Sequence, residues 1–218
     1  MTSFGFGQRR KPDSEKHVLA PGLWSDPGWA AFFKRIGATP DDPENLRITS
    51  DGVARMIEDG RKAVNERVSR LEANVAARGL NDIRLRPFWL IQDNCWNGET
   101  GDFLIYHLRL NPYDEWNTVI LAADARGASA LDIPVHPARD IPAFSKAQTE
   151  AILALRDRLR NAHQEVQRTH EFGRFADLCD DTVVRVKQMA QKFAAVLVEG
   201  HKKFPPAQDE TSARIGEK

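Results

Sequence analysis

The sequence predicts an α+β protein in which long amphipathic helices pack against an antiparallel meander of three to four strands. Three observations predict it. Apolar residues recur at helical spacing in three stretches, about 50–78, 145–171 and 174–199. Between the first two, at about 83–135, the pattern changes to short runs of branched and aromatic residues punctuated by Asn, Gly and Pro. The composition is 41% apolar and 28% charged, so 218 residues can bury a core without disulfide or metal support.

Residues 1–20 contain Gly5, Gly7, Pro12 and the run Arg9-Arg10-Lys11 without periodicity, and are expected to be a flexible basic arm. Residues 204–218, opening on Phe204-Pro205-Pro206, are expected to be a disordered tail, with 21–203 as a single domain between them. A short helix is predicted at about 27–36, with Asp26 as N-cap, Pro27 at the first position and Gly37 closing it. Its apolar side is Trp29, Phe32, Phe33 and Ile36, and Trp24 lies just ahead; Pro40 and Pro43 then mark a turn.

The helix at 50–78 has Ser50 as its expected cap, and Ile57, Val64 and Leu71 recur every seven residues. Gly79 suits the left-handed closing position, with Leu80 packing back on Val75. Gly60 is expected to mark a bend or a split.

Stretches 83–92 and 103–110 are expected to pair as a hairpin about Asn97-Gly98. That register puts Phe88 opposite His107, Trp89 opposite Tyr106 and Arg86 opposite Arg109. Pro87 places the first strand at a sheet edge. A third strand is expected at 118–123 and a short fourth near 131–135. Ser145 and Gln148 have the spacing of a capping box for the helix at 145–171. Gly173 breaks the chain, and the helix at 174–199 should bury Phe175, Cys179, Val183, Val186, Met189, Phe193 and Leu197.

Lys plus Arg is 31 and Asp plus Glu is 31, so bulk charge favours neither nucleic acid nor an anionic membrane. No stretch has the roughly 18 apolar residues of a membrane span, and Met1 to Lys16 lacks a signal-peptide run; a cytoplasmic protein with no membrane partner is expected. Arg outnumbers Lys and Ala is frequent, the bias of a high-GC bacterial genome. No phosphate-binding loop, dinucleotide fingerprint or nucleophile elbow occurs, and no cofactor is expected. No metal is expected either. Cys95 and Cys179 are far apart in sequence, and His163 and His170 stand about 10 Å apart along a helix. Asp177, Asp180 and Asp181 match no ligand spacing and suit the start of a helix.

Two constellations remain. Residues 93–102 place Asp93, Cys95 and Trp96 at the expected hairpin tip, where Cys95 could act as a nucleophile with His107 as its base. The register opposes this, since it separates thiol and imidazole by on the order of 20 Å at about 3.4 Å per residue. The second is a basic sheet face of Arg84, Arg86, His107 and Arg109, with Trp96 beyond it. It would suit phosphate, a nucleic-acid backbone or an acidic partner. The heptad-like stripes add a third use, pairing as a homodimer. The function expected from these features is that of a bacterial cytosolic accessory or regulatory protein that binds a macromolecule, foremost a protein. Nucleic-acid binding through Arg84, Arg86, Arg109 and the arm is the second reading. A hydrolase-type enzyme around Asp93, Cys95 and His107 is the third.

Overall fold

The structure, a computed structural model, describes residue 23 and residues 25–38, 50–137 and 141–203, excepting the side chains of 50 and 51. The expected arm, the tail, the turn at Pro40 and Pro43, Trp24 and the Ser50 cap lie outside the described residues. Among the described residues the fold is mostly helical with one two-stranded antiparallel sheet. Its helices are α1 (Pro27–Arg35), α2 (Ser50–Ala76), α3 (Gly98–Asp102), α4 (Ala125–Leu131), α5 (Pro142–Thr169) and α6 (Phe172–Lys203). Its strands are β1 (Leu85–Trp89) and β2 (Thr118–Ala122).

The α+β class holds in this coarse sense, but the meander does not form. β1 pairs directly with β2, Leu85 against Ala122 and Trp89 against Thr118. The stretch expected as the second strand is helical. A 3₁₀ turn at Asp93–Trp96 leads into α3, which passes without a break into a π-turn at Phe103–His107. Phe103, Leu104, Ile105, Tyr106 and Leu108 are all buried. An apolar run buried on every side has no period by which strand and helix can be told apart. Gly98 adopts φ +58, but it opens a helix rather than turning a hairpin. The expected fourth strand is one parallel bridge, Ala122 to Val135, and α4 occupies the stretch before it.

Local signals fared better at helix ends. Asp26 caps α1, its Oδ1 accepting from Gly28 N at 2.9 Å and Trp29 N at 3.1 Å. Gly79 closes α2 at φ +86, and Leu80 packs beside Val75. α2 runs through Gly60 unbroken; the glycine is needed because a methyl there would lie 2.6 Å from Tyr113 Cβ. The capping box is not used. α5 starts at Pro142, and Ser145 and Gln148 lie buried inside it.

The sheet separates two apolar clusters. Phe88, Val119 and Leu121 face the main core, which α1, α5 and α6 complete with Phe32, Phe33, Ile152, Leu159, Phe175, Val186 and Phe193. Leu85 and Ile120 face the smaller cluster, with Val68 and Val75 of α2. Period-two alternation along paired strands does this sorting. The outer edge of β1 is sealed by side chains. Leu85 N donates to Glu72 Oε1 at 2.8 Å, Pro87 has no N–H, and its carbonyl contacts His136 Nε2 at 3.0 Å. No helix among the described residues is long and apolar enough to cross a membrane.

Candidate functional site

The residues proposed from sequence do not assemble. Cys95 is fully buried; its Sγ lies 3.5 Å from Thr149 Oγ1 and 3.8 Å from the Ser145 carbonyl of α5. Asp93 is half-buried in the same 3₁₀ turn, its carbonyl accepting from Asn97 Nδ2 at 3.0 Å. Trp96 is buried and donates Nε1–H to the Ile91 carbonyl at 3.0 Å. This segment is fastened by amides. Gln148 Oε1 accepts from Gln92 N at 3.0 Å while its Nε2 donates to the Leu90 carbonyl at 2.7 Å. Asn117 Oδ1 accepts from Ile91 N at 2.6 Å. Buried amides paired at both ends, as Gln148 is, hold a segment in one arrangement.

The basic face dissolves with the hairpin. Arg84, just before β1, and Arg86 on it are exposed, and Arg86 stands opposite Leu121 rather than Arg109. Arg109 is buried, with its guanidinium 4.4 Å above the Phe33 ring. It takes φ +58 after the π-turn, and Leu110 N reaches back to the Leu104 carbonyl at 2.9 Å. A left-handed non-glycine residue costs about 1–2 kcal/mol, which the cation–π contact helps to offset.

Of the residues proposed from sequence, His107 lines a cavity. A cavity of about 350 Å³ is lined by Trp29, Glu99, Asp102, Phe103, His107, Arg156, Leu159, Arg160 and His163. Three elements converge here. α1 supplies Trp29, the α3 and π-turn segment supplies Glu99 to His107, and one face of α5 supplies Arg156, Leu159, Arg160 and His163. π-turns interrupt the helical ladder and often lie at functional sites. Here Leu108 N bonds the Phe103 carbonyl five residues back, at 3.1 Å, and the wider turn carries His107.

Trp29 contacts both imidazoles, at 5.0 Å between ring centres for His107 and 6.3 Å for His163. His163 Nε2 lies 2.8 Å from Asp26 Oδ2. The same carboxylate oxygen accepts from Gln167 Nε2 at 2.9 Å. A carboxylate can only accept, so His163 carries its proton on Nε2 and, when neutral, keeps an acceptor lone pair on Nδ1. His107 Nδ1 is 3.5 Å from the Asp102 carbonyl, a long contact of the same sense that leaves Nε2 as acceptor. Burial pushes the His107 pKa below the ordinary imidazole value, against the Asp102 carbonyl, which favours the charged form. At the rim Arg156 holds Glu99 at 2.6 Å and Asp157 at 3.1 Å, and Arg160 also pairs with Asp157.

Sequence reasoning placed Asp26 correctly as a cap but not its second oxygen, and set His163 aside with His170 as too far apart to share a metal. Nothing local links positions 26 and 163. His170 instead closes α5 at φ +59, and Asp177 and Asp180 both grip Arg35, at 2.6 and 2.8 Å. Among the described residues no group of three metal-ligating side chains comes together. Comparison of the chain with protein-family models, curated proteins and solved structures returned no match.

Proposed function

We propose that this protein binds a small molecule in the His107–His163 cavity. The observation that carries the reading is the Asp26–His163 pair at 2.8 Å, which orients an imidazole into a preformed recess floored by Trp29, Phe103 and Leu159. A volume near 350 Å³ lies at the lower end of ligand pockets. Two imidazoles held as acceptors suit a ligand that donates hydrogen bonds, such as a small alcohol, phenol or amine with a flat apolar body against Trp29. The cavity lining contains no Ser, Thr, Cys or Lys among the described residues, and its Glu99 is held by Arg156, which supports ligand recognition ahead of covalent catalysis.

The test is fragment binding followed by histidine-selective NMR. Small aromatic alcohols and amines are expected to shift the ring signals of His107 and His163 together, with one saturation curve, and His163→Ala should abolish the response. Fragments that bind while leaving both rings unmoved would sink the reading.

The protein-partner reading rests on a separate observation. Val184 and Val198 stand 49% and 45% exposed on α6, on a face that the rest of the described chain leaves uncovered. The nucleic-acid reading has lost the shared basic face that motivated it, and the thiol-enzyme reading has lost the access that Cys95 would need.

A further inference from the structure

We infer, building on the small-molecule reading above, that the ligand of this cavity is a small aromatic hydroxy acid, its carboxylate accepting from His163 and its hydroxyl donating to His107. The two imidazoles differ in what stands behind them. Asp26 Oδ2 lies 2.8 Å behind His163 Nε2, and a carboxylate so placed stabilises the imidazolium formed when the far nitrogen takes a proton. Behind His107 stands the Asp102 main-chain carbonyl, 3.5 Å from Nδ1, and burial disfavours a charge on this ring. The cavity therefore has one end built for an anion and one built for a neutral donor. The Cδ2 edge of His163 is turned to α1, where a methyl on Gly28 would lie 3.3 Å from it, so Nδ1 sits on the opposite edge. Trp29 lies against both rings, at 5.0 and 6.3 Å, and a flat ligand on the indole reaches from one to the other.

The neighbouring charges leave this task to the imidazoles. On α5, Arg156 is held by Glu99 and Asp157, and Arg160 by Asp157, so both guanidiniums already have carboxylate partners. Near His107, Asp102 and Arg109 act with opposite signs, Asp102 favouring the charged ring and Arg109 opposing it. Gln167 of α5 donates to the same Asp26 oxygen as His163, and α6 meets the His163 ring with Phe175, 5.1 Å between ring centres. Imidazole is the side chain that changes charge near neutral pH. A carboxylate entering the cavity is therefore matched by one proton taken from solvent onto His163 Nδ1, while the ligand hydroxyl keeps its proton and donates to His107 Nε2. A charge-assisted bond of this kind is stronger than a neutral one. An alcohol would fill the same recess without calling on Asp26 as a counter-ion.

The test is calorimetric titration of the full chain with meta-hydroxybenzoate and with meta-hydroxybenzyl alcohol, in buffers of different ionisation enthalpy. The acid is expected to bind with proton uptake approaching one per molecule, and its affinity should fall about tenfold per unit between pH 7 and 8.5. The alcohol should bind with no uptake and no such slope. In the acid complex the nitrogen-15 signals of His163 should be those of an imidazolium and those of His107 those of a neutral ring. His163→Gln should remove the uptake and the slope, and His107→Asn should make benzoate and meta-hydroxybenzoate bind alike; circular dichroism melts matching the parent would show that both variants fold. If the alcohol moves both rings while the acid fails to bind, or binds without proton uptake, the hydroxy-acid inference falls and the small-molecule reading stands. Uptake that survives His163→Gln overturns the inference too. If neither compound moves either ring, both fall together.

Discussion

Single residues here serve two masters, and substitutions can separate the roles. Asp26 caps α1 with one oxygen and holds His163 with the other. Asp26→Ala removes both; loss of the cap alone costs about 1–2 kcal/mol, a melting temperature lower by roughly 2–8 °C. Asp26→Ser keeps a capping hydroxyl but cannot span to His163. It should melt close to the parent while the nitrogen-15 spectrum of His163 shows a mixed tautomer. The two depressed histidines set an acid limit. Burial holds His107 and His136 below the ordinary imidazole pKa, so near pH 6 the unfolded chain binds more protons than the folded one. Stability therefore falls as pH drops from about 6.5 toward the folded values, then levels off below them. Urea midpoints at pH 7.5 and 5.5 should show this fall, and His107→Asn should flatten it.

At the scale of elements, what was legible followed from local physics. Asp26-Pro27, Gly79 and the seven-residue spacing of Ile57 and Val64 act within a few residues of where they stand, and α1, α2, α5 and α6 form close to where those signals point. The stretch from Asp93 to Leu110 was illegible because its state is decided by residues far away. Gln148 and Asn117 hold the residues that lead into it, Leu90 to Gln92, and the core buries most of its second half. Its chemistry follows the same division. Cys95 looked reactive by neighbourhood, yet α5 encloses it, while His163 gains its role from a carboxylate 137 residues away. Glycines give the element-scale test. Gly→Ala in a helix interior normally stabilises by about 0.5–1 kcal/mol. Gly60→Ala should do the reverse, because the methyl meets Tyr113. Gly101→Ala should cost more, since its methyl would run into the Trp96 carbonyl, a backbone atom that cannot swing aside. Chemical denaturation of both variants measures the difference.

For the molecule as a whole, both thiols lie inside the main core, at 0% exposure. Burial raises the Cys179 pKa well above the ordinary thiol range. A thiol reagent at neutral pH should therefore label neither cysteine faster than the protein unfolds, and the rate should rise with urea in parallel with loss of helical signal. Rapid labelling of Cys95 in the native protein would restore the thiol-enzyme reading and break the account of how α5 meets the 3₁₀ turn.

The sealed rim of β1 reaches further than its few contacts suggest. A two-stranded ribbon would ordinarily invite a stranger's backbone to zip alongside it, and from there a growing fibril. With a proline facing outward and Glu72 already holding the Leu85 amide, the strand presents no continuous ladder to copy. Pro87→Val would hand the ribbon a new amide, and the measurable price would be fibrils, seen as thioflavin fluorescence in warmed samples where the parent stays clear.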